Sequence, residues 1–124
     1  MSLGYIGHCK KEIEDDEYIL YSYSGSDWNS PQNDRDAEKA YDGELLINKS
    51  IMNWQRTKSK KLNEYIDWTT IAIDKELISV TKMCKNAFFR DSQKMDYIAY
   101  RLLLQIVKYV YHENSFPEKT WFIQ

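Results

Sequence analysis

Four side chains could bind a soft metal or act as nucleophile and base: His8, Cys9, Cys84 and His112. Imidazole nitrogen and thiolate sulfur together suit a tetrahedral zinc ion. The spacing argues otherwise. His8 and Cys9 are neighbours in a predicted strand and so point to opposite faces. Cys84 falls on the apolar stripe of a predicted helix, where a small buried thiol is the usual occupant. His112 falls in a last helical turn, where a cation suits the dipole. No two of the four stand at a ligand-pair spacing, so no metal site is assigned. A Cys–His nucleophile pair fares no better, because it needs an exposed thiol with a lowered pKa. Cys9 has Lys10 and Lys11 beside it but carries no local signature of such an enzyme.

The carboxylates are abundant without being diagnostic. Asp34, Asp36 and Glu38 alternate as in a calcium loop, but Lys39 stands where that loop requires glycine. There is no glycine-rich phosphate cradle, no Gly-x-Ser-x-Gly elbow and no His-Glu-x-x-His. The sequence leans away from an enzyme, and no catalytic residue and no cofactor is assigned.

Recognition chemistry remains. Aromatic residues make up 15% of the 124 residues, with ten Tyr and four Trp, and Tyr and Trp dominate binding hot spots. Trp28 sits in a polar loop, Gly25 to Asp36, with Tyr21 and Tyr23 leading in and Tyr41 leading out. A Trp so placed either caps the core or anchors a partner. Glu12, Glu14, Asp15, Asp16, Glu17, Asp34 and Asp36 form an acidic face able to meet a basic partner by mimicking nucleic acid. The candidate binding residues are therefore Tyr21, Tyr23, Trp28, Tyr41, Asp15, Asp16, Asp34 and Asp36. Arg56, Lys58, Lys60 and Lys61, flanked by Trp54 and Tyr65, resemble a single-strand stacking patch. A net charge of −2 lacks the basic footprint of a nucleic-acid binder, so that partner is not favoured.

The elements that position these residues follow from periodicity. Tyr5 to Ile13 and Tyr18 to Ser24 read as a hairpin around the acidic turn Glu14 to Glu17. Ile19, Tyr21 and Tyr23 share one face of the second strand, and Tyr18, Leu20 and Ser22 the other, which predicts a central strand. Asp36 would cap a short helical turn through Tyr41, and Asp42-Gly43 precedes a strand over Glu44 to Asn48. Arg56 to Lys61 is a polar connector. Residues 65–73 are read as a strand by their β-branching, although Leu62, Tyr65, Ile66, Thr69 and Ile73 also fit a helical stripe. Leu77, Val80, Thr81, Cys84 and Phe88 predict a helix over Lys75 to Phe89, capped by Asp74. A second helix starts after Asp91 or Ser92, buries Met95, Ile98, Ala99, Leu102, Leu103, Ile106 and Val110, and stops at Asn114 and Pro117. Thr120 to Ile123 closes as a strand that rejoins the sheet.

The expected fold is α+β: one domain over residues 1–124, with a four- or five-stranded, mostly antiparallel sheet against two C-terminal helices. Two isolated cysteines, no leader and no apolar run of bilayer length place it as a soluble, cytoplasmic, membrane-free protein. The functional expectation is a non-enzymatic protein-binding module, in concrete form a small acidic bacterial inhibitor of the immunity or antitoxin type. The alternative is a small-molecule binder or small enzyme with a Tyr/Trp-lined pocket. A third reading has the aromatic excess covering a homodimer interface.

Overall fold

In a computed structural model of the chain, the described residues are 5–27, 41–51, 69–84, 87, 89 and 95–123. The acidic tetrad cannot be buried, so the chain reverses there. Strands β1 (Tyr5–Glu14) and β2 (Tyr18–Asp27) flank the reversal as an antiparallel hairpin. β3 (Gly43–Asn48) adds to β2, and β5 (Lys119–Ile123) adds to the other side of β1. With β4 (Ile78–Lys82) beside β3, the sheet runs β4-β3-β2-β1-β5, antiparallel throughout. β2 is central, as its two apolar faces predict.

One face of the sheet is closed by α2 (Tyr97–Glu113). Asp96 caps its start by accepting the Ala99 N–H at 2.9 Å. Asn114 ends it in the left-handed region, donating its N–H to Val110 O at 2.8 Å. Ile98, Leu102, Leu103, Ile106 and Val110 of α2 meet Cys9, Ile19, Tyr21, Tyr23, Leu45, Ile47 and Phe122 of the sheet in one buried cluster. Gly7 and Gly25 are paired across β1 and β2, directly beneath Ile98. A Cβ on Gly25 would overlap the Ile98 side chain, and one on Gly7 would overlap the Phe122 ring. The two glycines thus set how closely the first turn of α2 approaches the sheet.

Residues 69–84 depart from expectation. The helix expected over Lys75 to Phe89 is absent; α1 occupies residues 69–74 and β4 follows it. Among the described residues, α2 is therefore the only C-terminal helix. Glu76, at φ 59°, ends α1, and Leu77 returns its N–H to Ala72 O at 2.9 Å. Ile78 and Val80 then alternate into the sheet, opposite Ile47 and Leu45. The apolar spacing of Leu77, Val80 and Thr81 fits a helix, but β-branching and the open edge of β3 favour a strand. Residues 65–73 correct in the opposite direction. Their described part is helical, with Thr69 and Ala72 buried one turn apart. Gly25, Ser26 and Asp27, expected in the loop, extend β2 instead. The remainder of that loop, the turn at 36–40 and the connector at 56–61 lie outside the described residues. No described helix is long and apolar enough to cross a membrane.

Candidate functional site

The hairpin tip is built by side chains that answer backbone groups. Asp15 accepts the N–H groups of Glu17 at 2.8 Å and Tyr18 at 2.7 Å, and its own N–H donates to Tyr18 O. Those two donors hold its carboxyl below the usual range. Lys49, just beyond β3, reaches across: its N–H donates to Glu17 O, and its ammonium donates to Glu14 Oε2 at 2.6 Å and Asp15 O at 3.0 Å. Lys11 meets Glu14 Oε1 at 3.0 Å and Glu118 at 2.7 Å. Lys49, followed by Lys11, holds the Glu14 carboxyl low. Glu14 is thus committed to holding the tip together.

The side chains of Glu12, Asp16 and Glu17 are exposed and make no ion pair or hydrogen bond among the described residues. Two apolar residues stand with them. A register shift between Lys11 and Ile13 sets Ile13 opposite Leu20, on the face away from α2, where it is 63% exposed. Tyr18, two residues before Leu20 on the same face, is 40% exposed. A fixed turn therefore presents three uncommitted carboxylates and two apolar side chains together. Sequence reasoning placed Asp15 and Asp16 here but missed Ile13, because its exposure depends on the bulge.

The tyrosines are divided between core and surface. Tyr21 and Tyr23 are fully buried beneath α2. Tyr21 donates its hydroxyl to Pro117 O at 2.6 Å. Tyr23 donates to Asp96 Oδ2 at 2.7 Å and accepts the Cys84 N–H at 3.4 Å. Burial raises the pKa of both phenols and also that of Asp96, against the lowering effect of its Ala99 and Tyr23 donors. These two candidates belong to the core and offer no surface to a ligand. Tyr41 is half-buried at φ 47°, with Lys10 Nζ 4.4 Å from its ring centroid. Trp28, Asp34 and Asp36 lie outside the described residues.

The thiols and imidazoles form no centre. Cys9 and Cys84 are buried, and burial pushes the Cys9 thiol up to about 12. No group of three His, Cys, Asp or Glu among the described residues is arranged to hold a metal ion. An open cleft of about 310 Å³ runs along the last turns of α2, lined by Gln105, Lys108, Tyr109, His112, Glu113 and Thr120. Sequence reasoning gave it no weight, since its residues come together only when β5 docks beside α2. Comparison with protein-family models, with curated proteins and with solved structures gives no match.

Proposed function

We propose that the chain is a non-enzymatic protein-binding module that presents its β1–β2 tip to a basic surface on another protein. The observation that supports this is the tip itself, with Ile13 and Tyr18 exposed among Glu12, Asp16 and Glu17 on a turn already fixed by Asp15 and Lys49. Preorganisation lowers the ordering cost of binding, and uncommitted charges speed encounter with an oppositely charged partner. The concrete form we favour is a small acidic bacterial inhibitor of the immunity or antitoxin type, acting in the cytoplasm by occupying a basic toxin. The small-molecule alternative loses the two buried tyrosines of its proposed pocket; the cleft beside α2 is one site left to it among the described residues.

The test is capture of a stoichiometric partner from the native host by tagged protein, followed by binding measurements on the purified pair. Glu12→Lys with Asp16→Lys and Glu17→Lys should abolish binding, and rising salt should weaken the wild-type complex through slower association. Tyr18→Ser should cost about 2 kcal/mol, as a hot-spot aromatic does. A partner bound equally well by the charge-reversed protein removes the tip from the interface. A neighbouring reading frame that encodes a nuclease or other toxin would support the inhibitor form.

A further inference from the structure

The sheet ends on two edges of different construction. At the β4 edge the register breaks between Glu44 and Leu45, and the exposed residues are Ser79, Thr81 and Lys82. Bulges and charges are common guards against edge-to-edge pairing. β5 runs in unbroken register against β1 from Lys10↔Lys119 to Ile6↔Ile123, without bulge or proline. Its other edge has no strand partner among the described residues. Phe122 points into the core, while Trp121 and Ile123 stand 56% and 49% exposed on the face away from α2. An unbroken strand edge with an exposed Trp and Ile is suited to accept another strand.

We propose that β5 pairs antiparallel with β5 of a second copy, about a two-fold axis centred on Trp121, so that two sheets become one. A two-fold pairing of identical strands closes after two copies, whereas joining β5 to the β4 edge would propagate. The register that overlaps the whole strand sets Trp121 against Trp121 and Ile123 against the aliphatic stem of Lys119. It keeps the two Lys119 ammonium groups at opposite ends, whereas parallel pairing would set them side by side. A one-residue slip would oppose core-facing Phe122 to outward-facing Trp121. The strand is about 17 Å long. A five-residue strand offers less than the ~800 Å² per partner of a standard interface, so the dimer belongs to the weak, transient class.

Light scattering from low-micromolar to near-millimolar protein should show the mass rising from 14.9 kDa toward twice that value. Trp121→Asp should hold the mass at the monomer value while leaving the circular dichroism spectrum unchanged. Under mild oxidation Trp121→Cys should cross-link to its copy, whereas Ile123→Cys, which this register places opposite Lys119, should not. Cys9 and Cys84 are buried and do not compete. A constant monomer mass in the wild-type protein overturns the proposal, including the case in which β5 instead takes a strand from a different protein. So does a dimer that survives Trp121→Asp, or cross-linking at 123 in preference to 121. The hairpin-tip variants leave this dimer intact, so failure here is distinct from failure of the inhibitor reading.

Discussion

The two faces of the central strand put similar residues to different uses. On the α2 side, Ile19, Tyr21, Tyr23 and Gly25 are buried, and both hydroxyls have partners. On the other side, the series Tyr18, Leu20, Ser22, Ser24, Ser26 passes from an exposed aromatic at the tip to buried serines at the far end. There the Ser22 hydroxyl is buried without a hydrogen-bond partner among the described residues. Aromatic content alone is therefore a poor guide to recognition in this chain. Tyr21 and Tyr23 join separate parts of the core, whereas Tyr18, Trp121, Ile13 and Ile123 are, among the described residues, the large apolar side chains left exposed on the sheet.

The contrast can be broken by mutation, most severely on the α2 side. Leu102→Ala should cost about 2–5 kcal/mol in urea unfolding, since Leu102 is fully buried. Asp96→Ala removes the α2 cap and the partner of Tyr23 together. It should cost about 2–3 kcal/mol, and a double-mutant cycle with Tyr23→Phe should show the two residues to be coupled.

The pH dependence of that pair has a definite sign. Burial raises the Asp96 carboxyl, so the folded protein keeps this proton to higher pH than the unfolded chain does. The stabilisation is complete below the ordinary carboxylate pKa and is lost as pH rises through the folded value. Relative to Asp96→Asn, wild-type stability should therefore fall as pH rises through and above the ordinary carboxylate range. Glu14 and Asp15 act in the opposite direction, because their lowered carboxyls stabilise the fold above the ordinary carboxylate range and lose that effect as pH falls through their folded values.

On the outer face the expected effects are small. Ser22→Ala should be neutral or stabilising by up to about 1 kcal/mol, because it removes an unpartnered buried hydroxyl. Tyr18→Ser should change monomer stability by less than about 0.5 kcal/mol. A large loss of stability in Tyr18→Ser would make that residue structural and undercut its role in binding.

What the sequence reveals follows the range of the forces involved. The hairpin, the body of α2 and β5 are legible because a local acidic turn, a 3.6-residue stripe ended by Asn114, and a short apolar run each decide them nearby. The cap that starts α2, however, is Asp96 and not the expected Asp91 or Ser92. The segment from 69 to 82 is not legible, because its apolar spacing fits either period and the open edge of β3 decides it. Similarly, alternation places Tyr21 and Tyr23 on one face, but their depth depends on Pro117 and Asp96, which are 96 and 73 residues away. Asp15 and Asp16 are legible as a solvated turn. The clamp from Lys49 is not, since it comes from the strand beyond.

The pairing of β1 with β5 has a consequence for how the molecule is made. The first described strand finds its outer neighbour only in the last, so during synthesis the β1 edge stays open until Lys119 to Ile123 has emerged. Closure then depends on contacts of long sequence separation, which slows folding and prolongs the exposure of an unpaired edge. Chains cut short before Lys119 would leave β1 as the edge, with Ile6 and Cys9 no longer shielded by a neighbouring strand.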